Sequence, residues 1–433
     1  MQVPVRRYAA FLLFVATVVA AAIQVGSSLT RPLYDRLADL HVYWGSARML
    51  AHGRSLYDFA AGNGDPFTYP PFAGIAFMPL AYLPEAPLRI LWTAATILVV
   101  AFVAATTTKS DASRYLPTGI LVPSAAFLLL VSAPVSSNIR FGQVSLPLAA
   151  MVMLDALEIV PPKIRGIATG IAAAIKLTPG IFILLLWVSG RRRAAAVALG
   201  TTIGCTALAW LTLPRESHRF WFTEVHNLNR IGDISVTANQ SLQGVLLRLS
   251  VPDPWRAPIA VGLGLVVVAV ALQRAARAYQ AGNSFTAVVI VGAAGLIFSP
   301  VSWAHHQIWL VLAAFVAVSD RRSLNLVWSV SVIALVVLPI TSVGRSLPTA
   351  VITENARFLL AVAVACLVPA VTARMASETT TNRIEVDHAD ASRDEHELVF
   401  AKVLTARPAD PAWVTGSGGG PASRGCPGNA APS

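Results

Sequence analysis

The feature that most restricts this chain is the recurrence of long apolar runs. "YAAFLLFVATVVAAAIQV" (8–25) and "APIAVGLGLVVVAVAL" (257–272) carry no charged side chain. Their lengths approach or reach the roughly 18 residues that a membrane helix needs. Such runs recur, and hydropathy marks about twelve candidate spans. They lie at 8–25, 72–84, 88–106, 117–133, 142–159, 165–188, 194–213, 257–273, 285–299, 305–319, 324–341 and 356–373. The runs are continuous rather than alternating, so the spans are helices and not barrel strands. The expectation is an all-α, polytopic integral membrane protein.

Composition agrees. The chain is 55% hydrophobic and only 13% charged, with a mean hydropathy of +0.63. A soluble protein would be about a quarter charged. The net charge of +11 does not indicate nucleic acid, because the arginines sit in short clusters between apolar runs, where they act as topology signals. Cys205, Cys366 and Cys426 are too scattered for a disulfide framework or a metal site. Arg6 and Arg7 precede the first run, and no clear small-x-small cleavage site follows, so an uncleaved first helix is expected.

If Arg6 and Arg7 are cytoplasmic and the spans alternate, then Arg191–Arg193, Arg274 with Arg277, Arg321 with Arg322, and the tail all fall inside. The loops with Lys109/Arg114 and Lys163/Arg165 then fall outside, against the positive-inside rule. This topology places segments 26–71 and 214–256, together with "SPVSWAHH" (299–306), on one outer face. Residues 1–375 are expected to form the membrane domain. Residues 376–433 are polar and low in complexity, and are expected to be a disordered cytoplasmic tail.

The polar segments hold the candidate chemistry. Asp39 opens "DLHVYWGSARMLAHG", which reads as an amphipathic helix along the membrane surface with Tyr43 and Trp44 at the interface. An ionisable group at the membrane edge is a functional candidate. The same spacing also fits a plain interfacial helix with Asp39 as N-cap. "GDPFTYPPF" (64–72) is stiffened by its prolines and would present Phe67 and Tyr69 to a sugar, or simply break a helix. "SPVSWAHHQIW" places His305 and His306 at a helix start. Adjacent helical residues point about 100° apart, so one of the two is expected to face the cavity, where a neutral histidine could take a proton from a hydroxyl. No third ligand at helical spacing accompanies them, so no metal is expected. Arg140, Gln143 and Lys176 stand in or beside spans. Lys176 either snorkels, pairs with a buried anion, or contacts a lipid phosphate. Asn239 and Gln240 in "TANQSLQG" offer amides for hydroxyl binding, or cap a loop helix.

The order of "DLHVY", "LYD", "PFTYPPFAG", "GQVSL", "GIAAAIKLTPG", "NQSLQG" and "SPVSWAHH" resembles glycosyltransferase family 87, membrane enzymes of the GT-C class. The similarity runs through residues 5–373. "DLHVY" and "FTYPP" are most like the mannosyltransferases that build phosphatidylinositol mannosides and lipomannan. The resemblance implies polyprenyl-phosphate mannose as donor and a lipid-linked mannoside as acceptor. It also implies an extracytoplasmic site in the plasma membrane, and inverting transfer with neither metal nor cofactor. It makes Asp39 the essential acidic residue and His305 or His306 a base. His41 of the first motif and Trp303 of the last join the substrate-binding candidates Tyr43, Phe67, Tyr69, Arg140, Gln143, Lys176, Asn239 and Gln240. An arabinofuranosyltransferase using polyprenyl-phosphate arabinose is a close alternative. A lipid flippase would need an internal repeat with interrupted helices in matching halves, which the sequence lacks. A scaffold would not need Asp39 or the histidine pair.

Overall fold

The computed structural model describes residues 2–32, 35–343 and 349–368. The tail expected to be disordered lies outside these. Among the described residues there are helices and no strands. Four helices are long and apolar enough to cross a membrane: Arg6–Leu29, Glu85–Lys109, Arg192–Thr212 and Asp253–Gln280. Thr118–Val131 and Ala133–Phe141 make a fifth if read as one span bent by 63°. The remaining apolar helices are 10–17 residues long, so among the described residues four or five of the expected twelve spans meet this test of length and composition.

The elements that position the site are α1 (Gln2–Leu29), α2 (Ala38–Ala51), α3 (Pro71–Phe77), α4 (Glu85–Thr106), α5 (Thr118–Val131), α6 (Ala133–Phe141) and α7 (Ser145–Ala156). They continue with α8 (Ile167–Ile175), α9 (Ile181–Val188), α10 (Arg192–Thr212), α11 (Pro214–Phe222), α12 (Leu242–Arg248), α13 (Asp253–Gln280), α14 (Ser284–Phe298), α15 (Ile308–Leu312) and α16 (Arg322–Val337). α14 has no polar face, and its Phe285, Val289, Ile290, Ala293 and Ile297 are all buried, as expected of a central helix.

Side-chain pairs sort the helix ends into two groups. At one end His41 pairs with Glu85 at 2.6 Å, Arg140 with Asp35 at 3.0 Å, and Arg219 with Asp58 at 2.6 Å. At the other, Glu158 holds Arg165 at 2.7 Å, accepts from the Tyr279 hydroxyl at 2.8 Å, and also pairs with Arg191. Asp111 accepts there from the Ala317 N–H at 3.2 Å.

This sorting corrects the middle of the expected topology in two places. Segment 72–84 does not cross: α3 and the short 3-10 turn Met78–Tyr82 pack on α2, and Glu85 just beyond them is still beside His41. Pro79 and Pro84 interrupt it, and the twelve helical residues from Pro71 to Tyr82 reach only about 18 Å of a ~30 Å core. Segment 165–188 is not one span but a helical hairpin, since Arg165 and Arg191 meet the same Glu158. α8 stops at Lys176, which is extended (φ −147, ψ 129), and Pro179 and Gly180 follow before α9 turns back. Lys109/Arg114 and Lys163/Arg165 therefore lie at the same end as Arg191–Arg193, and the apparent exceptions to the charge rule disappear.

Candidate active site

The site is assembled where α6 meets α2. α6 ends on Gly142 at φ +63, a conformation that favours glycine. A Cβ there would lie 2.8 Å from Leu40 Cβ, so the close approach also demands glycine. The Leu37 N–H donates to the Arg140 carbonyl at 3.2 Å, which ties the start of α2 to the end of α6. Leu37 is itself left-handed at φ 48 and fully buried, so this junction is strained. Its product is Gln143 held against Asp39, the second residue of α2.

Gln143 is the hub. Its Oε1 accepts from the Tyr43 hydroxyl at 2.7 Å, the Tyr69 hydroxyl at 2.8 Å and the Val144 N–H at 2.9 Å. A backbone N–H can only donate, which fixes the amide's orientation. Nε2 is thereby aimed at Asp39 Oδ2, 2.8 Å away, and His305 Nε2, 3.3 Å away. Because Nε2 has only hydrogens to offer, His305 Nε2 presents its lone pair, and Nδ1 faces Ser137 Oγ at 3.5 Å. One amide thus bridges a carboxylate and a basic imidazole nitrogen.

Lys176 enters from the turn of the α8–α9 hairpin. Its Nζ lies 3.0 Å from Ser145 Oγ, 2.8 Å from His306 Nε2 and 5.3 Å from the centre of the Tyr69 ring. Asp155 Oδ2 accepts the Thr169 N–H at 2.7 Å, which docks the start of α8 on α7 and so sets the height of Lys176. A cavity of about 60 Å³ opens beside Lys176 and His306, with Ser145 and Thr178 on its polar side and Phe182 and Trp309 on its apolar side.

The two histidines do not divide as a helix would divide them. They sit in a 3-10 turn, Ala304–His306, with rings perpendicular and centres 4.5 Å apart. His305 faces Gln143 and His306 faces Lys176, so both belong to the cluster, where one was expected.

Burial raises the Asp39 carboxyl to about 7; Asp65 also raises it, while Lys176 and the Gln143 hydrogen bond act the other way. Burial likewise pushes both the Tyr43 and Tyr69 phenols up, so each keeps its proton and remains a donor to Gln143.

Other expected site residues are engaged elsewhere. Tyr43, whose hydroxyl is on the hub, is not at the interface but fully buried, its ring stacked on Phe77 with centres 4.6 Å apart. Asp39 caps nothing, since the N-cap position of α2 is Leu37. Arg140 pairs with Asp35 and His41 with Glu85. Phe67 is buried between Tyr57 and Tyr69. Asn239 Oδ1 accepts from the Ser241 and Ser302 N–H groups, and Gln240 bonds to the backbone of Thr237, Glu354 and Phe358. The Asn239 amide holds the loop that carries the histidines, while Gln240 reaches that loop through its backbone N–H, which donates to the Ser302 carbonyl at 3.0 Å. Trp303 supplies its backbone N–H to His306 Nδ1 at 3.2 Å. Ser145 is not among the residues the sequence singles out, although it stands in "GQVSL", two positions after Gln143.

Comparison with known proteins bears on this cluster. The profile described as Glycosyltransferase family 87 matches residues 67–300. The chain is 34% identical over 298 residues to a polyprenol-phosphate-mannose-dependent alpha-(1-2)-phosphatidylinositol mannoside mannosyltransferase of Mycobacterium tuberculosis (64% of this chain, 69% of the relative). It is 32% identical over 350 residues to the protein of the same description from Mycolicibacterium smegmatis (72% and 77%). A polyprenol-phosphate-mannose-dependent alpha-(1-2)-phosphatidylinositol pentamannoside mannosyltransferase of Mycolicibacterium smegmatis is 31% identical over 282 residues (63% and 67%). No solved structure matches. With its apolar helices, its matched core and these relatives, the chain belongs to glycosyltransferase family 87 and is a membrane glycosyltransferase.

Proposed function

We propose that this enzyme transfers mannose from polyprenyl-phosphate mannose to a lipid-linked mannoside of the phosphatidylinositol mannoside or lipomannan type. The relatives' descriptions support the donor and the acceptor class. The observation that carries the chemistry is the Gln143 amide, which bridges Asp39 and His305 with Lys176 close by.

The acceptor hydroxyl attacks the sugar's C1 from the face opposite the phosphate. The new C1–O bond forms as the C1–O(phosphate) bond breaks, which inverts the anomeric centre. The hydroxyl proton passes to Asp39, whose carboxyl titrates near working pH, as suits a general base. His305 Nε2, held on the same amide, orients that hydroxyl or relays the proton. Lys176 meets the charge of the departing polyprenyl phosphate, so the step asks for no metal. Asn239 and Trp303 act by holding the histidine loop, and Gln240 by tying the segment before it to the backbone of Glu354 and Phe358. Tyr43 and Tyr69 act by orienting Gln143. His41 and Arg140 act by bracing α2, and Phe67 by packing under Tyr69.

Membrane orientation follows from charge. The end opposite the site gathers the short basic clusters Lys109/Arg114, Lys163/Arg165, Arg191–Arg193 and Arg321/Arg322. At the site end most basic side chains are spread over long loops and paired with acids, as Arg140, Arg219 and Arg230 are. In this reading the basic end is cytoplasmic, the site is extracytoplasmic in the plasma membrane, and the tail is cytoplasmic.

The test is transfer of radiolabelled mannose from polyprenyl-phosphate mannose to a phosphatidylinositol mannoside in membranes carrying the wild type or Asp39→Asn. Polyprenyl-phosphate arabinose is run in parallel. Mannose transfer that disappears in the variant is expected. Transfer of arabinose alone would overturn the choice of sugar, and full activity in the variant would overturn the role of Asp39.

A further inference from the structure

The largest cavity among those described lies away from the site. It measures about 560 Å³ and its walls come from α1, α5, the residues after α15, and α16. Leu13, Phe127, Val131, Phe315, Ile333 and Val337 make it apolar along its length. It follows α16 from Arg322 to Val337, about 22 Å at the helical rise. An empty apolar space of this size would forfeit van der Waals contacts on every wall, and it far exceeds the roughly 30 Å³ of one water.

Its mouth is at the basic end. The Arg322 guanidinium is exposed, lies 6.0 Å over the Tyr115 ring, and pairs with no carboxylate among the described residues. Arg114, which precedes Tyr115 in the chain, pairs with Asp111 at 3.5 Å. Asp111, which also lines the cleft, is thus matched by Arg114, and its Oδ2 accepts from the Ala317 N–H and the Thr286 hydroxyl. Arg322 also opens α16, whose first N–H groups and positive dipole end face the same mouth.

We propose that this cleft is a binding site for an anionic glycerophospholipid, with one acyl chain along α16 and the phosphate on Arg322. A cation at the rim and a dry channel the length of an acyl chain match such a lipid at both ends. A zwitterionic lipid would bring its own cation to Arg322, and so binds less well. The lipid wedges α5 apart from α16 and fixes their spacing. The mouth, and so the bound phosphate, lies at the end opposite Asp39, which separates it from the reacting groups.

The experiment uses the full chain in nanodiscs of phosphatidylcholine doped with phosphatidylglycerol, followed by native mass spectrometry after detergent release. Phosphatidylglycerol is expected to remain bound, one per chain, in preference to phosphatidylcholine. R322Q should weaken its retention about tenfold, the loss of one charge-assisted hydrogen bond. I333W, which fills the cleft from a partly exposed position, should abolish retention while R322Q merely weakens it. Equal retention of the two lipids, or retention unchanged in both variants, would overturn the proposal. Displacement of the bound lipid by polyprenyl phosphate would overturn it in favour of a substrate site. Neither variant touches the transfer chemistry, so mannose transfer is read separately.

Discussion

Replacing Gln143 with glutamate (Q143E) is the sharpest probe of the active-site hub, because it changes one atom group and keeps the shape. Oε1 still accepts from Tyr43, Tyr69 and Val144, so the three donors that orient the side chain stay satisfied. The other side-chain atom becomes an oxygen, placed about where Nε2 now lies 2.8 Å from Asp39 Oδ2. Two carboxylates that close cannot both ionise. The introduced carboxyl, with three donors, gives up its proton first, and Asp39 keeps the remaining one. At an effective dielectric constant near 20 the repulsion is on the order of 3–6 kcal/mol, or two to four pH units. The Asp39 midpoint then moves from about 7 to above 9. The same anion favours a protonated His305, 3.3 Å from the same position. At pH 7 kcat/KM for mannose transfer should fall by about a hundredfold or more, and it should recover as pH rises toward about 10. The assay is kcat/KM against pH for both proteins, with thermal unfolding as the control for the fold. A Q143E enzyme with the wild-type rate at pH 7 and an unshifted midpoint would refute the reasoning, because ionised Asp39 beside Gln143 would then play no part.

Other outcomes follow from the same geometry. Asp39 holds its proton more tightly folded (about 7) than unfolded (3.8), so the stability its neutral form confers is lost as pH rises between these values. Asp39→Asn carries no charge and still accepts from Gln143. It should therefore abolish transfer yet melt higher than the wild type at pH 8, by roughly 1–3 kcal/mol after allowing for partial exposure, and the gain should vanish below pH 4. A variant less stable than the wild type at pH 8 would contradict this. Lys176→Gln should raise KM for the donor about 10–100-fold, with a smaller effect on KM for the acceptor. His305→Gln should lower kcat by about 10²–10⁴, and a loss confined to KM would remove it from the proton path.

The sequence was most legible where its signal is local. Apolar runs without charges determined a helical membrane protein, and short ordered motifs determined the family. Seven of the residues read as candidates, Asp39, Tyr43, Tyr69, Gln143, Lys176, His305 and His306, do converge on one cluster. Candidates chosen by residue type alone fared differently. Asn239, Gln240, Arg140 and His41 have the right chemistry, but their partners are backbone groups and carboxylates far away in sequence.

What only the tertiary structure decided is which apolar segments cross and what each polar group faces. Hydropathy counts 72–84 and 165–188 as spans because composition is blind to direction. The pairing of His41 with Glu85, and of both Arg165 and Arg191 with Glu158, shows a surface turn and a hairpin instead. The hub has the same origin. Nothing near "GQVSL" marks Gln143 as the joint between Asp39 and His305, over a hundred residues away on either side. That role arises because Gly142 can adopt φ +63 and let α6 close on α2, and because three donors from separate segments converge on one amide oxygen. Burial on folding then pushes Asp39 toward neutral pH, a property the residue does not have in the unfolded chain.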